Sequence, residues 1–469
     1  MKKKIVLKAR QTRGHTGPAT KRKKVNLQSP LALILVCTAV LCLVIIPTTL
    51  SSKSSLDVAS EVLVESTERA YVPLTSATKG WRDDTLTGKT EHFKVPSWMA
   101  SHVQFQNEWM ISESTSRHSR LPQYSVSTNE TRPPLLIWTC QGKGFCGGLG
   151  DRIYGIIMGL YIAMLTQRIY LVQEWKGPDA PRPLSAYLQP NHLHWRAMVS
   201  PDVLDKMGIL STIDNREHPL LLEPGTINND KRDYYLRNNI MTYESLLVQS
   251  TCLQDYWNQQ GGRNDSRPLS NVGFFTLFQF TERVDALALS LLRSSKVIDE
   301  SMEKKEISAT KKFLALHIRT GQGKTWDDPE RHSGIQNLQR FDECAVRLQE
   351  AVQKRCGWSP DVYIASDNDE AKDFFLTRHR KDGSFKAAMN LEVFHIDRTK
   401  TGMLTDVATA YDQVWGELKV LIDAQCLVMS RSKFSTLAME LSPQQPRCAV
   451  YFDDCNSEKV NEAVQALSC

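Results

Sequence analysis

The second half of the chain alternates between short apolar runs and amphipathic stretches, and this alternation constrains the fold more than any other feature. Apolar runs rich in Val, Ile, Leu and Phe predict strands, and stretches with apolar residues three and four apart predict helices. The predicted strands are 313–318, 362–365, 391–396, 426–429 and 448–452, with helices at 338–355, 368–379, 411–424 and 434–441. Such alternation predicts a parallel, doubly wound sheet.

The region before this half of the chain also begins with alternating strand-like and helical patterns. A strand-like run at 135–140, a Gly-rich turn, a helical pattern at 151–166 and a second apolar run at 168–173 predict a βαβ unit. Residues 278–292 also have a helical pattern. A single core rarely holds a region of more than about 300 residues, so we expect an α/β architecture with two lobes. Its two Rossmann-like lobes, at 133–305 and 306–469, would face a cleft.

The N-terminus has the pattern of a membrane anchor. Residues 1–29 contain ten Lys or Arg and no acid, and an apolar run follows at 30–50, about the length of a membrane-spanning helix. This charge asymmetry predicts a cytosolic tail, a transmembrane signal-anchor and a lumenal remainder. Residues 51–132 are rich in Ser, Thr and charge and predict a stem, although Trp81, Trp98 and Trp109 suggest that its later part docks on the globular domain.

The charge and the cysteines agree with that topology. Of the net charge of +6, ten positive charges precede Ser51, so the remainder is 48 minus 52, or −4. A basic surface for nucleic acid is therefore excluded. Nine cysteines follow the apolar run, where an oxidising lumen favours disulfides. Asn129 and Asn264 begin candidate N-glycosylation sites.

His317 and Arg319 are two residues apart at the end of the first strand of the second lobe. Residues i and i+2 share a face of a strand, and open α/β sheets bind ligands beyond the carboxyl ends of their strands. Because a guanidinium matches phosphate oxygens, the pair predicts a phosphorylated ligand. The alternative is an ordinary strand end at which Arg319 pairs with a carboxylate.

The segment 432–436, Ser-Lys-Phe-Ser-Thr, follows another predicted strand and opens a helix. Hydroxyls and backbone N–H groups at a helix N-terminus favour an anion, whereas simple N-capping explains the same residues equally well. Both this segment and Arg319 would lie at carboxyl ends of strands in one sheet. Their convergence favours a single diphosphate ligand.

Other motifs allow different chemistry. The glycines at 142, 144 and 147 fit a dinucleotide-binding pattern, with Glu174 placed to bind a ribose hydroxyl. A disulfide between Cys140 and Cys146 would instead pin that loop. The run 367–369, Asp-Asn-Asp, resembles a metal-binding D-x-D, but Asp367 or Asn368 as a helix cap is the simpler interpretation.

Four segments together resemble the superfamily of fucosyltransferases that use GDP-fucose, which includes α1,2-, α1,6- and protein O-fucosyltransferases. They occur in the family's order at 147–152, 317–319, 363–367 and 423–436. The resemblance implies a two-lobed GT-B fold, inversion at the fucose anomeric carbon and no metal or other cofactor. A cytosolic tail, one span and a stem are also the usual layout of Golgi glycosyltransferases, so we expect a single-pass type II Golgi membrane protein with a lumenal catalytic domain.

The resemblance also implies roles for particular residues. Arg319 would be catalytic, neutralising the pyrophosphate as the glycosidic bond breaks. The loop at 147–152 would close over the diphosphate, His317 would contact the nucleotide, and Asp367 would contact the guanine or ribose. The implied GDP-fucose contacts are Gly148, Gly150, Asp151, Arg152, His317, Arg319, Asp367, Ser432, Phe434 and Ser435.

Two positions depart from the family pattern. Many members have Asn where this chain has Asp151, and a carboxylate beside a diphosphate is unfavourable unless Arg152 pairs with it. The Arg-Arg-x-Asp run of the α1,2 group is Arg-Thr-Gly-Gln at 319–322, which argues against an α1,2 assignment. The expected partners are GDP-fucose and a glycan or glycoprotein acceptor. Three alternatives stay open: transfer of another nucleotide sugar, a lumenal dinucleotide-dependent oxidoreductase, and an inactive glycan-binding relative.

Overall fold

The computed structural model describes residues 93–115, 133–140, 147–173, 181–197, 207–211, 233–237, 267–299, 312–323, 326–327, 335–389, 391, 406–444 and 447–469. All of them belong to one compact unit, Leu86–Cys469. The predicted cytosolic tail, membrane span and most of the stem lie outside the described residues, as do the candidate glycosylation sites. Within the described ranges, no helix is long and apolar enough to cross a membrane.

The first lobe is built on a parallel sheet. Its strands are β1 (Leu135–Thr139), β2 (Ile169–Gln173), β4 (Arg196–Ala197), β5 (Gly208–Ser211) and β6 (Tyr234–Arg237), in the order β4-β2-β1-β6-β5. A separate antiparallel pair joins β3 (Leu188–Pro190) to β7 (Phe278–Phe280). The helices are α1 (Ser97–Thr115), α2 (Leu149–Leu165), α3 (Leu269–Leu277) and α4 (Glu282–Ser294). The predicted βαβ opening is confirmed, with α2 beginning two residues earlier than expected.

The helix expected at 278–292 begins later than the pattern indicated. Phe278 to Phe280 form β7, which pairs with β3, and Thr281 is extended before α4 starts at Glu282. The aromatic side chains of β7 favour a strand. Glu282 and Asp285 in the first turn of α4 complement the positive end of that helix. The aromatic residues of β7 and the acidic first turn of α4 are local signals. The strand that pairs with β7, β3, lies about 90 residues away in sequence, so the local pattern did not reveal the pairing.

Helix α1 lies in the range predicted as stem, yet it packs on the first sheet. Trp98 and Met99 are buried in the main core, and Trp109 packs beside the strand residues Ile137 and Leu171. Gln106 is fully buried: its amide donates to the Tyr170 and His194 carbonyl oxygens, and it accepts from the Tyr170 N–H. The folded domain therefore includes α1, and the predicted docking of Trp98 and Trp109 is observed.

The second lobe has a parallel sheet with strands β8 (Phe313–Ile318), β11 (Asp361–Ser366), β12 (Phe385–Ala387), β13 (Cys426–Met429) and β14 (Cys448–Tyr451). Their order is β12-β11-β8-β13-β14. Numbered within the lobe, this is 3-2-1-4-5, the first five positions of the doubly wound order. Strand β12 was not predicted, and the strand predicted at 391–396 lies outside the described residues apart from Leu391.

Helices cover both faces of this sheet. They are α5 (Leu338–Cys356), α6 (Asp369–Arg378), α7 (Val407–Asp423), α8 (Lys433–Glu440) and α9 (Ser457–Gln465). Leu314 and Leu316 of β8 face a core shared with α5, α6 and α9, whereas Phe313 and Ala315 face α7 and α8. The core on the side of α7 and α8 continues into the first lobe, because α7 packs on α4. The alternation of facing residues along β8 is that expected of a strand buried on both sides.

Disulfides are concentrated in the second lobe. The structure pairs Cys344 with Cys455, Cys356 with Cys469 and Cys426 with Cys448. The last of these bridges β13 to β14 at directly opposite positions. In the first lobe, Cys140 is also disulfide-bonded, while its predicted partner Cys146 lies outside the described residues.

Candidate functional site

The carboxyl ends of β8 and β13 form the candidate site. In the 3-2-1-4-5 order, the connections from β8 and from β13 leave the sheet on opposite faces, which opens a crevice between these strands. The crevice receives His317 at the end of β8, Arg319 just beyond it, and the segment 430–435 that leads from β13 into α8. The two segments were expected to converge, and the pairing of β8 with β13 places them side by side.

His317 is held between β13 and α8. Its Nδ1 lies 3.0 Å from the Ser430 hydroxyl, and its ring centroid is 5.4 Å from that of Phe434. Burial, reinforced by the charge of Arg319, lowers the pKa of His317 to about 3. His317 is therefore a neutral imidazole at physiological pH. It can exchange hydrogen bonds with a ligand but does not add positive charge to the crevice.

Arg319 turns toward the end of β11, one of the two strands that flank β8. Its Nη1 lies 3.3 Å from Oδ2 of Asp367, which follows β11. The Arg319 side chain is 18% exposed and that of Asp367 only 6%, so a ligand in the crevice can reach the guanidinium more easily than the carboxylate. The ion pair that sequence analysis gave as the ordinary alternative is present. It is compatible with ligand binding because the cation keeps access to solvent.

Asp367 is fixed by more than Arg319. Its Oδ1 accepts hydrogen bonds from the backbone N–H and the hydroxyl of Thr320, and its Oδ2 accepts from the Gly321 N–H. A carboxylate that accepts this many hydrogen bonds is held firmly in one orientation. The geometry therefore gives Asp367 a role in shaping the turn that follows Arg319, in addition to the ligand contact implied by the family resemblance.

The D-x-D interpretation of 367–369 is not supported by the side-chain geometry. Asn368 caps α6 by accepting from the Glu370 N–H at 2.8 Å, which confirms the predicted helix cap. Asp369 lies 3.5 Å from the Lys372 amino group, whereas Asp367 faces the turn after β8. The two carboxylates are thus engaged by different partners and do not converge on one point.

The segment after β13 is a capped helix start. The Ser432 hydroxyl accepts from the Phe434 N–H at 3.2 Å. Ser435 is fully buried, and its hydroxyl donates to the carbonyl oxygens of Ser430 and Ser432. Ser435 therefore supports the shape of this segment from inside, while Ser432, Lys433 and Phe434 are partly exposed on its outer side.

The N-terminus of α2 meets this segment from the first lobe. A Cβ on Gly150 would lie 2.9 Å from the Lys433 carbonyl carbon and 3.1 Å from the Phe434 nitrogen, so only glycine permits this approach. The preceding turn needs Gly147 in the left-handed region, at φ +74°. Glycine at these two positions lets the predicted loop 147–152 reach the crevice.

Two charged residues complete this contact. Asp151 Oδ2 accepts from the Gly148 N–H at 3.1 Å, and its Oδ1 lies 2.7 Å from the Lys433 amino group. Arg152 is buried, and its Nε donates to the Gly147 carbonyl oxygen at 3.0 Å. The expected counter-ion of Asp151 was Arg152, whereas the observed one is Lys433. Nothing in the local pattern of either segment indicates this pair, because its members are about 280 positions apart.

The structure describes only part of the dinucleotide-binding pattern and of the segment after Gly321. Helix α2 begins at Leu149 with Gly148 as its N-cap, whereas residues 142–146 and Glu174 of the dinucleotide pattern lie outside the described residues. After Gly321, the backbone forms a short hairpin of β9 (Gln322–Gly323) and β10 (Trp326–Asp327).

No protein-family model and no curated protein matches the chain. Among solved structures, a mutant of Arabidopsis thaliana FUT1 in complex with GDP matches with a TM-score of 0.46 and 13% identity, covering 75% of this chain and 78% of that one. NodZ α1,6-fucosyltransferase soaked with GDP-fucose matches with a TM-score of 0.39 and 12% identity over 66% of this chain and 93% of that one. POFUT1 in complex with GDP-fucose matches with a TM-score of 0.32 and 13% identity over 69% of this chain and 99% of that one.

TM-scores below 0.5 do not establish a common fold, so the fold assignment rests on the strand orders given above. One of these solved structures, NodZ, is an α1,6-fucosyltransferase.

Proposed function

We propose that the chain is an inverting, metal-independent glycosyltransferase that transfers fucose from GDP-fucose to a glycan or glycoprotein. The observation that carries the proposal is that Arg319 and the N-terminus of α8 follow two directly paired strands, β8 and β13, at the same edge of the sheet. A guanidinium and a helix N-terminus both favour phosphate oxygens. Arg319 would stabilise the charge that develops on the diphosphate as it leaves, a contribution of about 10²–10³ in rate for one such donor.

The donor's nucleoside would lie along the carboxyl edge of the second sheet. His317 presents a neutral imidazole there, and the Phe434 ring beside it adds an apolar surface. The loop 147–152 would cover the diphosphate from the first lobe. Guanine as the base, fucose as the sugar and the GT-B-like fold are proposed from the four motifs that resemble the superfamily.

The proposed location is the Golgi membrane, with a single-pass type II topology and a lumenal catalytic domain. The basic residues before the apolar run at 30–50 support this orientation. The disulfides of the second lobe also support it, because such bonds persist in oxidising compartments.

Thermal unfolding of the purified chain with different nucleotides tests the donor class. GDP should raise the melting temperature, whereas UDP, CMP and NAD should not. Arg319→Ala should remove most of the GDP effect, and Lys459→Ala, which changes an exposed cation on α9, should retain it. A response to NAD alone would support the oxidoreductase alternative and overturn this proposal.

Turnover tests the chemistry separately from binding. With GDP-fucose and a panel of glycan acceptors, activity should persist in the presence of a chelator. Arg319→Ala should reduce turnover by about 10²–10³. A protein that binds GDP but transfers no fucose to any acceptor in the panel would correspond to the inactive glycan-binding alternative.

A further inference from the structure

We propose that Lys433 is a diphosphate-binding residue of this site and that Asp151 is a built-in counter-ion which the donor displaces from it. This inference rests on the proposed function. It identifies a residue that the sequence motifs did not include among the donor contacts. The structural basis is the ion pair between Lys433 and Asp151 where two helix N-termini meet.

Lys433 occupies an unusual position for a cation. It is the first residue of α8, directly after the N-cap Ser432. The N-terminus of a helix carries partial positive charge, so a cation there opposes the helix dipole. A second helix N-terminus, that of α2, lies against the same backbone. Because the lysine and both helix ends are positive, an anion with more than one negative charge is favoured at this position.

Asp151 supplies negative charge in the structure. It lies in the first turn of α2, where a carboxylate is favourable, and its Oδ1 is 2.7 Å from the Lys433 amino group. The pair is accessible, with side-chain exposures of 35% for Lys433 and 26% for Asp151. A ligand can therefore approach both groups without unfolding either helix.

Exchange of partners is feasible because Asp151 keeps another hydrogen bond. Its Oδ2 accepts from the Gly148 N–H, so the carboxylate stays anchored at the start of α2 when the ammonium group moves. The lysine side chain is flexible and behaves as a point charge that can be redirected to a phosphate oxygen. Arg319 has a comparable arrangement, since Asp367 retains the N–H groups of Thr320 and Gly321.

The location joins Lys433 to the rest of the site. The next residue, Phe434, packs against His317, and Ser430 of the same segment contacts the His317 ring. The ion pair therefore lies beside the residues that contact His317, and Arg319 follows His317 by two residues at the same strand end. A donor diphosphate between Arg319 and Lys433 would be contacted by a cation on each side.

Binding of GDP and of guanosine to the full chain, measured by calorimetry, separates phosphate contacts from base contacts. Lys433→Met should weaken GDP binding about tenfold and leave guanosine binding unchanged. Asp151→Asn should tighten GDP binding several-fold by freeing the lysine, and this gain should vanish in the double variant. Lys459→Met, the same substitution at an exposed lysine of α9, should alter GDP binding less than twofold.

The outcomes distinguish this inference from the proposed function. Equal GDP affinities for Lys433→Met and the unaltered chain would overturn the inference while the proposed function stands. Equal losses for GDP and guanosine would also overturn it, since they would indicate a general effect on the site. Weaker GDP binding by Asp151→Asn would contradict the counter-ion role. If the unaltered chain binds no GDP, the proposed function fails, and this inference fails with it.

Discussion

Arg319 and Asp367 form an ion pair across the carboxyl ends of adjacent strands, with 3.3 Å between Nη1 and Oδ2. Asp367 also accepts hydrogen bonds from the backbone of Thr320 and Gly321. One carboxylate thus fixes both the cation of the site and the turn that follows it. The orientation of Arg319 depends on a residue nearly 50 positions later in the sequence.

Asp367→Asn should reduce both stability and turnover. The amide group would present an N–H to the donors that now face the carboxylate, and a buried donor without an acceptor costs about 1–3 kcal/mol. Arg319 would lose its fixed orientation, so turnover with GDP-fucose should fall at least about tenfold. Urea unfolding and initial rates measure the two effects. Asp373→Asn, at an exposed position of α6, is the control and should change stability by less than about 0.5 kcal/mol.

His317 should make the protein less stable as the pH falls. Its pKa is about 3 in the folded chain and about 6.5 when unfolded, so between these values the unfolded chain binds more protons. Between pH 7 and pH 5, this group should lower the free energy of unfolding by about 2 kcal/mol. Urea titrations at both pH values, compared with those of His317→Gln, isolate the contribution. Equal pH dependence of the two proteins would mean that His317 is not a buried neutral imidazole.

Glu417 should have the opposite effect. Burial, and secondarily the nearby charge of Asp367, raises its pKa to about 7, although Lys372 acts against the increase. The folded chain then binds more protons than the unfolded chain between about pH 4.5 and pH 7. Stability should fall by about 1–3 kcal/mol from this group as the pH rises through that window. Glu417→Gln should flatten the curve, while Glu370→Gln on the exposed part of α6 should not. A curve unchanged by Glu417→Gln contradicts the prediction.

Asp412 should be important for the contact between α7 and the first lobe. Its carboxylate accepts from the Tyr187 hydroxyl at 2.5 Å and pairs with Arg182 and Arg283. Burial, followed by the hydrogen bond to Asp412, raises the pKa of Tyr187, which stays a donor. Asp412→Asn should lower the free energy of unfolding by about 1–3 kcal/mol.

The matched control for that contact is Asp453→Asn. Asp453 pairs with Arg431, whose side chain is 59% exposed, and an exposed pair contributes at most about 1 kcal/mol. Chemical denaturation of both variants compares the two pairs directly. Similar small losses would show that the Asp412 cluster is no more than a surface ion pair. GDP affinity measured below the unfolding transition should be retained in both variants.

Much of the second lobe could be predicted because its signals are local. The apolar run of β8 ends at Ile318 in both prediction and structure, and β13 was predicted at the same residues. The cap at Asn368 was anticipated by residue type and position. Strand β12 at Phe385–Ala387, which pairs with β11, was not predicted from its three residues. Apolar runs identify candidate strands, but hydrogen-bond partners decide which of them joins a sheet.

By itself, the sequence determined the periodic elements, the α/β class and the two segments that meet at the crevice, because periodicity and capping act over a few neighbouring residues. The tertiary structure decided which charges meet there. Arg319 faces Asp367, and Lys433 faces Asp151. These pairs join positions far apart in the chain, and no local pattern encodes the distance between them. Strand order and the approach permitted by Gly150 bring them together.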